Sequence, residues 1–101
     1  MGISVVEEYM REEIRCIVSG RVQMVMYRDF AQRKARSLDI VGTVQNLENG
    51  TVEVIAQGTP DQLKAYIERL NEGSILSKVE DVAVDWRSTK NTYDDFTIKY
   101  V

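Results

Sequence analysis

Between Thr59 and Gly73 the chain carries both ends of one helix in its own residues, and the rest must be arranged around that element. Thr59 is an N-cap residue, Pro60 takes the first helical position, and Gln62 completes a capping box. Leu63, Tyr66, Ile67 and Leu70 form an apolar stripe at helical spacing, and Gly73 supplies a left-handed closing residue. Such a stripe has to be buried against another layer, and the flanking segments read as strands. Upstream, residues 40–47 and 51–57 are joined through Glu48-Asn49-Gly50. An Asn-Gly pair supplies the two φ > 0 positions of a tight hairpin turn. Val52, Val54 and Ala56 alternate there with Thr51, Glu53, Ile55 and Gln57. Downstream, Val79, Val82, Val84 and Trp86 mark another strand, and Phe96, Ile98 and Tyr100 a last short one beyond a polar turn.

The first part of the chain repeats this grammar. Ile14, Cys16 and Val18 alternate with polar residues in a short strand. An apolar loop from Gly20 to Met26 follows, then a helix with Tyr27, Phe30, Ala31, Ala35 and Leu38 on one face. No Ser, Thr, Asp or Asn stands before this helix to cap its first N–H groups. The resulting order, βαββαβ with an extra short C-terminal strand, predicts an α+β protein. It is a ferredoxin-like α/β sandwich, with two helices on one face of an antiparallel sheet.

At 101 residues the chain is long enough for one domain, expected over residues 13–101, behind an N-terminal extension, residues 1–12, that is expected to be frayed or weakly docked. There is no run of about 18 apolar residues to cross a membrane. The acidic N-terminus does not read as a signal peptide. A single cysteine, Cys16, alternates with core residues, so a buried thiol and a reducing, cytoplasmic setting are expected. Trp86, Phe96 and Tyr100 read as core or sheet-face residues, Met26 as a core residue, and the domain as a monomer.

The chain has no histidine, which excludes Ser-His-Asp and Cys-His catalysis and the common Cys/His zinc sites. Its net charge is −3, which disfavours a nucleic acid as partner. That total conceals a basic segment. Gly20–Arg36 holds Arg21, Arg28, Arg33, Lys34 and Arg36 against one acid, Asp29, a local +4 that leaves −7 elsewhere. A small anion held locally therefore fits better than a polyanion. The loop amides between strand and uncapped helix could form a nest for a phosphate, with Arg28 curling back as a fork; the alternative is a surface loop with Arg28 in a surface ion pair. No Gly-Lys-Ser/Thr follows, so this is not a Walker A loop.

The segment Gly20-Arg21-Val22-Gln23-Met24-Val25-Met26-Tyr27-Arg28 resembles the acylphosphatase signature Gly-x-Val-Gln-Gly-Val-x-Phe-Arg. Gly42-Thr43-Val44-Gln45-Asn46-Leu47-Glu48-Asn49-Gly50-Thr51-Val52-Glu53 resembles the family's second motif, and Gly73-Ser74 echoes a third. The resemblance implies hydrolysis of an acyl phosphate, a small-molecule substrate, to a carboxylate and inorganic phosphate, which is both product and inhibitor. It implies no metal, no other cofactor and no membrane partner. It assigns phosphate binding to Arg28 and to a loop of Val22, Gln23, Met24, Val25, Met26 and Tyr27, and gives Asn46 the attacking water. Such a substrate is already activated, because its leaving group is a weakly basic carboxylate. Charge stabilisation and a placed water suffice without a strong base.

Met24 stands where the family has glycine. If that position required a left-handed backbone, Met24 would cost about 1 kcal/mol or more, and Met24→Gly would gain activity. This motivates a second expectation, a domain with reduced or lost activity that serves as an anion-binding or interaction module. A third is an RNA-binding module of the same element order, which the acidic charge and the non-aromatic third strand oppose. A fourth is a fragment of a larger carbamoyl-transferring maturation protein, against which a stand-alone domain is expected because the last strand ends the chain.

Overall fold

The computed structural model describes residues 11–89 and 91–100, so the predicted extension over residues 1–12 lies outside the described residues apart from Arg11 and Glu12. The elements run β1 (Glu12–Arg21), α1 (Val25–Ser37), β2 (Val41–Asn46), β3 (Val52–Gly58), α2 (Pro60–Glu72), β4 (Lys78–Arg87) and β5 (Phe96–Ile98). They form one five-stranded sheet in the order β4-β1-β3-β2-β5, with β1 paired along both edges.

The four longer strands are antiparallel to their neighbours, as expected for a ferredoxin-like sandwich. The fifth differs, since β5 pairs with β2 in parallel. The 88–95 link explains this. It leaves β4 at the end of the sheet where β2 begins, and Gly42 N–H donates to Asp95 O there. The last strand therefore starts at that end and runs alongside β2.

Alternation sends Ile14, Cys16 and Val18 of β1 and Val54 and Ala56 of β3 toward the helices, where all are buried. They meet Tyr27, Phe30, Ala31 and Ala35 of α1 and Leu63, Tyr66 and Leu70 of α2. The two helices are tied by reciprocal bonds. Tyr27 OH donates to Leu70 O and Tyr66 OH to Ala31 O, each at 2.9 Å, so both buried hydroxyls are satisfied. Burial also pushes the Cys16 thiol up to about 12, which keeps it protonated. The predicted capping box of α2 is present, with Thr59 Oγ1 accepting from Gln62 N–H and Gln62 Oε1 from Thr59 N–H.

Two local expectations are corrected, for Asn49 and Met26. In the β2–β3 turn Gly50 alone has positive φ (90°), while Asn49 uses its Oδ1 to accept from Thr51 N–H and Oγ1. The side chain caps the turn, so Asn49 has no need of a left-handed backbone. Met26 is 45% exposed rather than in the core. It precedes the buried Tyr27 by one residue, which turns it about 100° away from the apolar stripe. Trp86 lies on the helix-facing side but remains 42% exposed at the end of β4.

The other face of the sheet is polar. Glu13 is fully buried between Gln57, which donates at 2.8 Å, and Arg87, which donates at 2.6 Å. Glu53 accepts from Arg15 and Gln45. Burial pushes the Glu53 carboxyl up, but those hydrogen bonds and the Arg15 charge outweigh it and hold the group below its ordinary value. On this face β1 and β3 present Glu13, Arg15, Ile17, Glu53, Ile55 and Gln57. No ring stands at any of these positions to stack a base, so the RNA-module reading loses its platform.

Gly42 has φ 148°, and a Cβ built there would lie 1.8 Å from Ile55 O on the adjacent strand. Gly42→Ala is therefore expected to lower stability by about 3 kcal/mol or more, read as a fall in the urea midpoint. An unchanged midpoint would show that β2 can move away from β3 at no cost.

Candidate active site

Three chain segments meet where β1 ends. A bulge between Ser19 and Gly20 shifts the register, after which Gly20 and Arg21 pair with Val79 and Lys78 at the start of β4. The β2–β3 turn lies at the same end. Asn46, Val52, Val18 and Val82 form one rung across four strands, and Val18 and Val52 are core residues. Asn46 therefore faces the helices on the rung beside the loop.

The loop is held at both its ends. The Val22 side chain is fully buried. Gln23 Nε2 donates to Leu47 O and, at 2.8 Å, to Thr51 O, so both its amide protons go to the hairpin. Leu47 directly follows Asn46, so this latch fixes the loop one residue away from it. Beyond Gln23, Met24 is the N-cap of α1 with φ −122° and ψ 149°, an ordinary extended conformation. Here the left-handed strain expected for Met24 is absent. An L-residue fits where the family signature has glycine.

Met24 O accepts from Tyr27 N–H at 3.1 Å and from Arg28 N–H at 3.4 Å. The Tyr27 amide, expected in the cradle, is thus already used inside the helix, and its side chain anchors α1 to α2. The N–H groups of Gln23, Met24, Val25 and Met26 have no protein acceptor among the described residues. The first turn of α1 has neither a side-chain cap nor an acidic residue. Its positive end is left uncompensated, which is the electrostatic basis of an anion site.

Two side chains add to this. Arg28 Nε is buried without a hydrogen-bond partner among the described residues, and so is Asn46 Oδ1. A buried polar atom left unsatisfied costs about 1–3 kcal/mol, and such atoms concentrate where a ligand supplies the partner. One is a donor on a cation and the other an acceptor, which suits a phosphoryl oxygen and a water respectively. Ser74 Oγ is a third unpartnered buried atom, in the loop after α2, and nothing described around it explains why.

The acylphosphatase family model matches residues 14–98, spanning every strand and both helices. The chain belongs to the acylphosphatase family. It is 44% identical over 88 residues to an acylphosphatase of Dehalococcoides mccartyi, covering 86% of this chain and 97% of that relative. The crystal structure of acylphosphatase from Bacillus subtilis superposes with a TM-score of 0.84 at 36% identity, over 88% of this chain and 99% of that one. An acylphosphatase from Coxiella burnetii gives 0.86 at 32% identity, over 95% and 100%.

Sequence reasoning about this acylphosphatase-family chain missed two things. Gln23 was expected to offer its backbone, whereas its side chain is the brace of the loop. Tyr100 was expected in the core or on a sheet face; it continues the helix-facing side at 73% exposure, and the contact of its ring with Arg28 Cζ at 5.1 Å was not foreseen. The alternation of Phe96, Ile98 and Tyr100 already places the three on one side, but only the register of β5 shows where that side ends.

Gln23→Ala removes two hydrogen bonds of about 1 kcal/mol each. Amide exchange at Tyr27 and Arg28, whose N–H groups donate to Met24 O, is expected to quicken by about ten-fold or more, measured by hydrogen–deuterium exchange. Unchanged exchange would show that the loop is held without the latch.

Proposed function

We infer that the chain hydrolyses the carboxyl–phosphate bond of acyl phosphates, giving a carboxylate and inorganic phosphate, with Arg28 and the loop amides on the phosphoryl group and Asn46 on the water. The observation that carries the residue assignment is the convergence of unsatisfied donors and one unsatisfied acceptor at one end of the sheet. Membership of the acylphosphatase family supports the reaction.

Arg28 and the N–H groups of Gln23 to Met26 bind the phosphoryl oxygens and stabilise the negative charge that they carry in the transition state. Asn46 Oδ1 accepts a hydrogen bond from the water and turns the water oxygen toward phosphorus. The water oxygen forms the new P–O bond while the P–O bond to the acyl group breaks. The bonding pair leaves with the carboxylate, and the water's protons pass to phosphate and solvent. No side chain becomes a nucleophile. The one thiol, Cys16, is buried on β1 and remains protonated. Inorganic phosphate, the product, competes for the same donors.

The reduced-activity alternative rested on strain at Met24. With that backbone extended, its amide stays available and the argument for impairment falls away. The reading is of an active, monomeric enzyme. The protonated free thiol suits a cytoplasmic setting, and no described helix is long and apolar enough to cross a membrane.

Benzoyl phosphate hydrolysis tests this reading. The unaltered protein is expected to turn over, with competitive inhibition by phosphate and no effect of chelator. Arg28→Ala should lose phosphate inhibition, whereas Asn46→Ala should keep it and lower kcat by about 100-fold or more. Phosphate inhibition retained in Arg28→Ala would remove that residue from the site. Met24→Gly should change kcat/KM by less than about three-fold. A larger gain would mean that the methionine hinders the loop after all.

A further inference from the structure

Arg28 has an aromatic neighbour and, among the described residues, no acidic one. Its Cζ lies 5.1 Å from the centre of the Tyr100 ring, and no described carboxylate forms an ion pair with it. The other arginines with charged partners are all paired away from the loop: Arg15 with Glu53, Arg33 with Asp29, Arg36 with Asp95, Arg69 with Glu72 and Arg87 with Glu13.

The sheet brings Tyr100 to this place. Gly42, Thr43 and Val44 pair in parallel with Phe96, Thr97 and Ile98, and Lys99 N–H donates to Val44 O at 2.9 Å. Continuing that register by two residues sets Tyr100 level with Asn46. Phe96 is buried under the helices and Ile98 packs against the same core, so alternation turns Tyr100 to the helix-facing side as well. Unlike those two, Tyr100 is exposed, just beyond the end of the outer strand β5. An exposed ring that contributes little to the core, beside the water-orienting candidate and over the phosphate-binding candidate, calls for a different account.

We propose that Tyr100 is a positioning residue for Arg28 and forms the wall of the anion site along the β5 edge. This rests on the reading of Arg28 as the phosphoryl-binding group. The chemistry favours a ring in this place. A carboxylate would hold the guanidinium too, but it would take up its N–H donors and cancel the charge that the substrate needs. A ring face attracts the cation through its quadrupole and leaves the N–H groups free for hydrogen bonding. It restricts the guanidinium before the anion arrives, so less side-chain freedom is lost on binding.

The test compares Tyr100→Leu and Tyr100→Phe in the full chain, with inorganic phosphate as the probe and benzoyl phosphate as substrate. Tyr100→Leu is expected to raise the inhibition constant of phosphate and the KM about five-fold, with a smaller change in kcat. Tyr100→Phe, which keeps the ring face, should restore both to within about two-fold. The melting temperature should be the same in both variants, because the ring is exposed. In an Arg28→Ala background, Tyr100→Leu should have no further effect on kcat/KM. An unchanged phosphate constant in Tyr100→Leu overturns the proposal, as does a Phe variant that behaves like Leu, or a loss that tracks a fall in melting temperature. These results leave the parent reading intact if Arg28→Ala alone has lost phosphate inhibition. Retention of inhibition in Arg28→Ala would end both.

Discussion

The double-edged pairing of β1 is the constraint on which the remaining structure hangs. With β3 along one edge and β4 along the other, its backbone is paired on both sides from Glu13 to Val18, and Ile14, Cys16 and Val18 are buried in the core that both helices cover. A strand in that position cannot slide without breaking two ladders at once. The chain leaves it after Arg21, two residues past a bulge, passes through a short loop and enters α1 within a few residues. The loop thus inherits its position from the best-anchored strand, and Gln23 ties its far side to the hairpin. A set of N–H groups on so short a tether, closed at both sides, is preorganised, as transition-state stabilisation by dipoles demands.

The polar groups divide between the two ends of the sheet. Where β2 begins and β4 ends, Glu13, Gln57 and Arg87 satisfy one another in a buried cluster, and Gln57 also reaches Asn91 O. At the other end Arg28 Nε, Asn46 Oδ1 and four consecutive amides have no partner among the described residues. Unsatisfied groups are a cost in a folded protein, and their concentration at one end is what separates a binding surface from ordinary scaffold. The missing histidine fits this division. Chemistry on an activated phosphoryl group draws on fixed donors, and a titrating base has no part to play.

Much of this was legible from the residues, and the limits follow from the range over which each signal acts. The Thr59-Pro60-Gln62 cap is local, and the structure contains it as read. The βαββαβ order came from periodicity, which is also local. The parallel direction of β5 depends on where the 88–95 link travels, which no periodicity encodes. The Asn49 turn was half legible, because its dipeptide fits two solutions and the side-chain bond to Thr51 selects one. Whether Met24 would be strained was left open by the residues, since a family glycine signals either a positive φ or mere tolerance, and only the dihedral angles tell these apart. Arg28 and Asn46 came from motif resemblance. Tyr100 carries no motif and depends on a neighbour seventy-two positions away in sequence, so it came into view only with the fold.

The crossed tyrosine bonds between the helices have a consequence for how this chain can vary. Tyr27 of α1 reaches Leu70 of α2, while Tyr66 of α2 reaches back to Ala31 of α1. The spacings 27–31 and 66–70 are matched, about one helical turn each. Adding or removing a single residue inside either interval would rotate one anchor by about 100° relative to the other, so the two links could no longer be made together. The two helices therefore behave as a vernier, two scales that read correctly at one setting. Because α1 begins at the loop, an insertion in α2 would misplace the candidate site without touching any residue of it.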